Sequence, residues 1–153
     1  IPHDVGVMCA PQDLDKARQR HKIVAVFSSE HDRVVFERAN APDFIIGLGE
    51  STADDRTHQR QSGLNQPLLR DLHRRESKVV ISIAALLKRE GQQRAQLIGR
   101  WMQNIAICRK SDVPIVIASL ASYPYEMRSS HDMEAIGVML GMHPKEAHDA
   151  MNR

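Results

Sequence analysis

Residues 79–118, VVISIAALLKREGQQRAQLIGRWMQNIAICRKSDVPIVIA, contain two short apolar runs separated by a longer segment of mixed polarity. The runs, at residues 79–84 and 115–118, are rich in valine and isoleucine, which is typical of parallel strands buried on both faces. Between them, apolar residues around Trp101 recur at the spacing of one helical face over residues 91–110. The stretch therefore predicts a strand–helix–strand unit, with Trp101 in the core.

The same alternation extends along the rest of the chain. Apolar runs predict further strands at residues 5–10, 23–27 and 44–48, and amphipathic segments predict helices at residues 13–20, 31–40, 64–75, 130–140 and 144–151. Ser129 or Ser130 can cap the helix that Gly141 ends, and Pro144 suits the first turn of the next one. The fold class predicted is α/β, with right-handed crossovers throughout.

The 153 residues are the size of one domain, so we expect residues 1–153 to form a single α/β unit. Five strands cannot close an eight-stranded barrel. Either the sheet is open, or further strands lie outside this chain. Because the chain begins with Ile1 rather than methionine, we favour a barrel that lacks its N-terminal βα units.

The net charge of +2 conceals an uneven distribution of charge. Residues 56–110 contain 12 lysines and arginines but only three aspartates and glutamates. The remainder of the chain contains nine lysines and arginines and 16 aspartates and glutamates. Arginine dominates this basic segment, and its planar guanidinium binds phosphate with two hydrogen bonds. The segment therefore predicts a surface that faces nucleic acid, the alternative being a solvated basic face without a ligand.

The low aromatic content, 4% of the residues, argues against an aromatic platform for single strands. Structured RNA, held through its phosphates and its shape, fits this composition better.

The sequence contains few candidates for catalytic or metal-binding residues. The predicted strand ends offer Glu30, His31, Asp32 and Glu50, but no HxH, HxD or HExxH spacing. GxSxG, GxGxxG and GxxxxGK are also absent from the sequence. We therefore predict no catalytic residue, no metal site and no cofactor on this chain. Cys108 falls on an apolar helical face and is interpreted as a small buried hydrophobe.

Three motifs in the second half of the chain resemble the archaeal ribonuclease P protein component 3 family, which has eukaryotic relatives in nuclear ribonuclease P. A strand is followed by Leu86-Leu87, Gly91 and Arg94 at the start of the long helix. A Val113-Pro114 step then leads into a strand that ends in small residues. Finally, Arg128 and His131-Asp132 precede the segment AIGVMLGM. The resemblance covers roughly residues 5–151.

The resemblance implies a TIM-type barrel related to the polymerase-and-histidinol-phosphatase barrels but without their metal site. It implies a non-catalytic protein subunit that helps a catalytic RNA remove the 5′ leader of precursor tRNA, with magnesium on the RNA. The implied partners are ribonuclease P RNA, precursor tRNA, protein component 2 directly, and components 1 and 4 with a kink-turn-binding ribosomal-type protein. One departure is that Asn65-Gln66 stands where the family tends to carry Asp-His.

The RNA-binding residues that we predict are all cationic: Arg56, Arg60, Lys88, Arg89, Arg94 and Arg128, with Arg33 and Arg38 as second choices. For each arginine the alternative is an ordinary surface charge, and for Arg128 it is a structural pairing with Asp132 or Glu134.

Two other functions remain open: a metal-independent barrel enzyme acting on a small phosphorylated or carbonyl substrate near residues 47–51, and a scaffold that binds only proteins. With sparse cysteine and no apolar run long enough to span a bilayer, we expect a cytoplasmic protein without a membrane partner.

Overall fold

The computed structural model describes residues 6–27, 41–51, 55 and 60–152. The helix predicted at residues 31–40 lies outside these ranges. Within them, five parallel strands form one sheet whose spatial order follows the chain. The strands are β1 (Val7–Cys9), β2 (Val24–Phe27), β3 (Phe44–Ile46), β4 (Lys78–Ser82) and β5 (Ile115–Ala118).

Six α-helices accompany the sheet in the described part of the chain. They are α1 (Leu14–Arg20), α2 (Gln66–Arg74), α3 (Ile83–Leu87), α4 (Gly91–Lys110), α5 (Ser130–Met139) and α6 (Pro144–Met151). Short 3-10 turns at Pro11–Asp13 and Pro124–Glu126 precede α1 and follow β5. The predicted α/β class with a parallel sheet is confirmed.

The helices pack on one face of the sheet. The strand register aligns Val26, Ile45, Val79 and Ile115 in one row across β2 to β5. The last three belong to a core that includes leucines of α2, Trp101 and Ile105 of α4, and residues of α6. Val26 packs with Leu14 of α1 in a smaller cluster. Trp101 and Cys108 are both buried, as predicted, and burial raises the pKa of the Cys108 thiol to about 12.

The opposite face of the sheet is largely apolar, with Lys78 of β4 at the end of one row. Its rows run from Met8 of β1 to Phe44 of β3, and from Phe27 of β2 through Ile46 to Val80 of β4. Ile46 and Val80 are buried, whereas Met8 and Phe27 are exposed. None of these five apolar residues belongs to the two core clusters that contain helix residues in the described part of the chain.

The strand predicted at residues 79–84 ends two residues early. Ser82 leaves the strand with extended backbone, and its hydroxyl accepts a hydrogen bond from the N–H of Ala85 at 3.2 Å. This serine cap starts α3, a short helix that the apolar run concealed because periodicity alone cannot separate a buried helix from a buried strand. The strand predicted to reach Leu48 also stops early, since Gly47 adopts a φ of 90°.

The residues predicted to start and end the later helices do so in the structure. Ser129 is the cap of α5 and accepts a hydrogen bond from the N–H of Asp132 at 3.1 Å. Gly141 lies just beyond α5 with a φ of 97°, and Pro144 occupies the first turn of α6. Asn65, the departure noted above, caps α2 by accepting from the N–H of Leu68 at 3.0 Å. The asparagine at this position therefore stabilises the start of α2.

Gly137 of α5 is expected to tolerate no side chain. A Cβ there would lie 2.7 Å from Cδ1 of Ile117 and 3.0 Å from Cβ of Ala147, so Gly137→Ala should lower the free energy of unfolding by about 1–3 kcal/mol through overpacking. Gly99→Ala is the matched control in α4, because its Cβ would meet the movable guanidinium of Arg60. The control should be neutral or gain up to about 1 kcal/mol from helix propensity. Urea unfolding measures both, and equal losses would contradict this account of α5 packing.

Candidate nucleic-acid interface

Several charged side chains contact one another or the backbone at the carboxyl edge of the sheet, the edge at which the parallel strands end. Three segments meet there: the residues after β3 beginning at Gly47, the junction of α3 and α4 around Lys88, and the loop between β5 and α5, which we call the β5–α5 loop (residues 119–129). In α/β folds the catalytic and ligand-binding residues usually lie at this edge.

A buried arginine joins α4 to the segment after β3. Arg100 is only 1% exposed, and its Nε donates to Oδ1 of Asp55 at 2.7 Å. Its Nη1 donates to the carbonyl oxygens of Ser51 at 2.6 Å and Gly49 at 3.2 Å. Arg100 therefore lies on the buried side of α4, although it belongs to the basic segment. A buried guanidinium is stable only when its donors are paired in this way.

Asp55 is held ionised beside Arg100. Burial tends to raise the pKa of Asp55, but the N–H of Gln61, the guanidinium of Arg100 and the charge of Arg60 together bring that pKa below its ordinary value. The same helix binds the segment at two further points: Nε1 of Trp101 donates to the carbonyl of Leu48 at 3.3 Å, and Nδ2 of Asn104 donates to that of Ser62 at 3.0 Å. Hydrogen bonds therefore fix five described residues of this segment to α4: Leu48, Gly49, Ser51, Asp55 and Ser62.

Arg60 is exposed and lies over Gly99 of α4. The lack of a side chain at Gly99 leaves the space that the guanidinium occupies. Because Asp55 and Ser62 on either side are anchored to α4, the loop presents Arg60 to solvent at a defined place.

Arg89 is mostly occupied by protein acceptors. Its Nη2 donates to the carbonyl of Glu50 at 2.6 Å and its Nη1 to that of Ala85 at 2.9 Å. The carboxylate of Glu50 lies 3.8 Å from the same Nη1. Burial raises the pKa of Glu50 even though Arg89 and Lys88 lower it, and Oε1 of Glu50 is buried without a hydrogen-bond partner among the described residues.

Lys88 lies against the β5–α5 loop. Its Nζ is 3.3 Å from Oε1 of Glu126 and 3.5 Å from Oγ of Ser122. Glu126 is only 3% exposed, and its other oxygen accepts from the N–H of Ser122 at 2.7 Å. That N–H hydrogen bond is the main reason that the pKa of Glu126 is low. Burial opposes it, and Lys88 adds to it.

Arg128 and Arg94 complete the predicted RNA-binding residues that the structure describes. Nη1 of Arg128 donates to the carbonyls of Met127 at 2.7 Å and Tyr125 at 2.9 Å. The pairing with Asp132 or Glu134 that we considered is replaced by these backbone bonds, since Asp132 bonds Ser129 and Glu134 lies near His148. Exposed Arg94 donates from Nε to the carbonyl of Arg89 at 2.6 Å.

The structure thus brings part of the predicted set together. Lys88 and Arg128 both contact the β5–α5 loop, while Arg89 and Arg94 share the junction of α3 and α4. Arg60 lies further along α4, at Gly99. The remaining predicted residues, Arg33, Arg38 and Arg56, lie outside the described residues.

The prediction missed the residues that organise this edge: Arg100, Asp55 and Glu126. One signal was available for Arg100, since it lies one position before Trp101 and one turn from Asn104, on the helical side that also carries Leu97. No sequence signal marked the two acids, because their partners are 45 and 38 residues away along the chain.

The described residues contain neither a metal-binding cluster nor a membrane-spanning helix. No group of three or more histidine, cysteine, aspartate or glutamate side chains there is placed to hold a metal ion. No helix in that part of the chain is long and apolar enough to cross a membrane.

Residues 45–153, from β3 to the end of the chain, match the family model described as RNase P subunit p30. The chain belongs to this family. The match includes all three segments of the carboxyl edge described above.

Individual relatives agree with the family match. Ribonuclease P protein component 3 of Methanosarcina mazei is 27% identical over 135 residues, which cover 86% of this chain and 56% of that protein. The protein of the same name from Archaeoglobus fulgidus is 32% identical over 63 residues, covering 41% of this chain and 32% of its own length. The chain therefore spans about half the length of the first of these relatives.

A solved structure shares the fold. A chain in a cryo-EM structure of archaeal ribonuclease P with mature tRNA superposes with a TM-score of 0.76 at 20% identity, covering 96% of this chain and 64% of that one.

Removing the buried guanidinium should destabilise the fold. Arg100→Met leaves Asp55 and two carbonyl oxygens without their donor, so the free energy of unfolding should fall by about 3 kcal/mol, as for other broken buried pairs. Arg94→Met removes an exposed arginine from the same helix and should change stability by no more than about 0.5 kcal/mol. Chemical denaturation compares the two, and similar small effects would show that Arg100 is not an anchor.

Glu50 and Glu126, both close to Lys88, should respond to pH with opposite signs. The ordinary glutamate pKa is 4.5. The pKa of Glu50 is raised in the folded chain, so the stability that its protonated form contributes is present below pH 4.5 and is lost as the pH rises through the folded value. The pKa of Glu126 is lowered, so its contribution is present above pH 4.5 and is lost as the pH falls through the folded value.

The measurement is urea unfolding at several pH values. The stability of Glu50→Gln relative to the unsubstituted chain should increase as the pH rises above 4.5, whereas that of Glu126→Gln should decrease as the pH rises towards 4.5. Slopes of the same sign would contradict the environments assigned to these two carboxylates.

Proposed function

We propose that this chain acts as a non-catalytic protein subunit of ribonuclease P, supporting the catalytic RNA as it removes the 5′ leader of precursor tRNA. The observation that carries the proposal is the family match over residues 45–153, which coincides with the basic segment and the cationic carboxyl edge. The archaeal relatives bear the name of a ribonuclease P protein component.

The cations described above at the carboxyl edge and along α4 divide into two groups by their use. Arg100 and Arg89 direct their donors to protein acceptors and serve the fold. Arg60, Lys88, Arg94 and Arg128 keep their charge near solvent. Exposed cations on an anchored framework bind RNA phosphates and release counterions, which is the dominant source of affinity for nucleic acid. In this proposal these four residues bind RNA, together with Arg56, Arg33 and Arg38.

In this proposal the hydrolysis belongs to the RNA, with magnesium bound to the RNA, and the chain requires no cofactor. The two buried glutamates of the carboxyl edge are engaged by Arg89 and Lys88, which supports a structural use for them. The alternative of a small-substrate enzyme needs an open phosphate site near residues 47–51. Arg100, whose guanidinium contacts Gly49 and Ser51, is buried and bound to Asp55. It is therefore not open to a substrate phosphate, which argues against the enzyme alternative.

We further propose that the sheet belongs to a TIM-type barrel related to the polymerase-and-histidinol-phosphatase barrels. The strand order follows the chain without reversal, whereas doubly wound sheets reverse at a switch point. The helices occupy one face, and the other face is largely apolar with Met8 and Phe27 exposed. An apolar inner face is what the closed interior of a barrel requires.

The proposed partners are ribonuclease P RNA, precursor tRNA and, directly, protein component 2, with components 1 and 4 and a kink-turn-binding ribosomal-type protein in the complete particle. A cytoplasmic location is proposed with them.

Cleavage of precursor tRNA tests the function. The purified chain alone should not cleave it, whereas adding the chain to the catalytic RNA and the remaining protein components should increase the cleavage rate. Cleavage by the chain alone would overturn the non-catalytic assignment, and a particle that works equally well without the chain would overturn the proposal as a whole.

RNA affinity should depend steeply on salt, because each phosphate contact releases counterions. With about four to six contacts, log K against log salt should have a slope of roughly −3 to −5. Arg128→Ala should reduce this slope by about one unit and weaken processing by the reconstituted particle. Its stability should change by no more than about 1 kcal/mol, because water can replace its exposed hydrogen bonds.

Lys110→Ala is the control for the salt experiment, since Lys110 is an exposed cation at the far end of α4. Its slope should equal that of the unsubstituted chain. If Arg128→Ala and Lys110→Ala bind RNA equally well, Arg128 is an ordinary surface charge.

A further inference from the structure

Both tyrosines of the chain lie on the surface of the β5–α5 loop. Tyr123 is 56% exposed and Tyr125 is 74% exposed. Their rings stack on each other with centroids 5.4 Å apart and planes only 3° from parallel. A stacked pair of this kind supports the position of the outer ring while leaving much of that ring open to solvent. The contribution of Tyr125 to the core is therefore small.

Two cations contact the loop that carries this ring pair. Arg128 is bonded to the carbonyls of Tyr125 and Met127, so its guanidinium lies beside the backbone that carries the outer ring. Lys88 contacts Ser122 and Glu126 of the same loop. Glu126, the acid within the loop, is buried and its charge is balanced by Lys88. The solvent side of the loop thus combines an aromatic surface with positive charge.

We propose that an unpaired RNA nucleotide stacks its base on Tyr125 while Arg128 binds an adjacent phosphate. The inference rests on the proposed function and adds to it the class of RNA that the β5–α5 loop binds: a single-stranded segment rather than a duplex. Every base has a π face, so an exposed aromatic ring binds unpaired bases with little regard to sequence. A base within a duplex is already stacked on both faces and gains nothing from the ring.

The neighbouring cations favour RNA over an apolar protein partner for this surface. Exposed Leu120 and Met127 flank the tyrosines and would also suit a protein. However, a protein partner that covered the loop would have to bury Arg128 and half-exposed Lys88, and burying charges without new partners is costly. A phosphate supplies a partner for such a cation directly. The combination of ring and cation therefore fits a nucleotide.

The test compares two substitutions at Tyr125 in the full chain. Tyr125→Phe retains the ring, and Tyr125→Leu replaces it by an apolar side chain without a π face. The probes are a short oligouridylate and a blunt RNA duplex of equal phosphate number. Tyr125→Leu should weaken binding of the oligouridylate roughly 5- to 150-fold and leave duplex binding unchanged, whereas Tyr125→Phe should bind both as the unsubstituted chain does. Thermal melting should be the same for all three proteins, because the ring is exposed.

A second measurement locates the contact. An oligouridylate that contains 5-iodouridine should crosslink to Tyr125 on irradiation, and mass spectrometry of the digested complex should identify the peptide from the β5–α5 loop. Crosslinking only to other segments would overturn the inference.

The outcomes separate this inference from the proposed function. If the unsubstituted chain binds both RNAs with steep salt dependence but Tyr125→Leu weakens neither, or weakens both equally, the stacking site is refuted and the proposed function stands. If Tyr125→Leu instead weakens association with protein component 2 while oligouridylate binding is unchanged, the loop is a protein interface and the inference is wrong. If the unsubstituted chain binds neither RNA, the proposed function and the inference fail together.

Discussion

The guanidinium of Arg100 links the long helix α4 to the segment that follows β3, and the arrangement of the carboxyl edge depends on this link. Its donors bind Asp55 and two backbone carbonyls at distances of 2.6 to 3.2 Å. A charge removed from water in this way must recover its lost hydration from fixed partners. The segment therefore cannot move away from α4 without exposing unpaired donors and acceptors, and Trp101 and Asn104 reinforce the same contact.

The use of each cation at this edge follows from its distance to the protein acceptors. Arg100 and Arg89 bind carbonyl oxygens and are part of the framework. Arg60 and Arg94 lie on the outside of the same framework and remain exposed. A rigid base of buried hydrogen bonds lets exposed side chains meet a polyanion without a large loss of backbone entropy, because the backbone is already ordered. In the proposed function, this division between framework and surface lets one arginine-rich segment contribute to both stability and RNA binding.

Composition also concealed how the aromatic residues are placed. An aromatic content of 4% argued against any stacking surface, yet the two tyrosines lie two residues apart and stack on the outside of the β5–α5 loop. A percentage averages over the chain, whereas a binding surface needs only one or two rings in the right place. The chain shares its family with ribonuclease P subunits, so the presence of such a ring beside Arg128 and Lys88 bears directly on how RNA could be held.

The sequence by itself determined the class of the fold and most of its elements. Apolar runs of four or five residues and a helical stripe are local patterns, and β5, α4 and α6 were predicted with the bounds that the structure has. The cap at Ser129 and the position of Pro144 in the first turn of α6 were also predictable, because both depend on residues close to them along the chain. Two of the three motifs that resemble the family lie in or beside α4 and β5, and the third leads into α5.

Only the tertiary structure decided which charges are buried. Arg100 and Asp55 are 45 residues apart, as Lys88 and Glu126 are 38 residues apart, and periodicity carries no information about such pairs. It likewise decided that Ser82 starts a helix within an apolar run, and that the two tyrosines face solvent beside cations rather than the core. The physical reason is that burial, pairing and exposure depend on what the rest of the chain places next to a residue, whereas propensity depends on the residue and its neighbours in sequence.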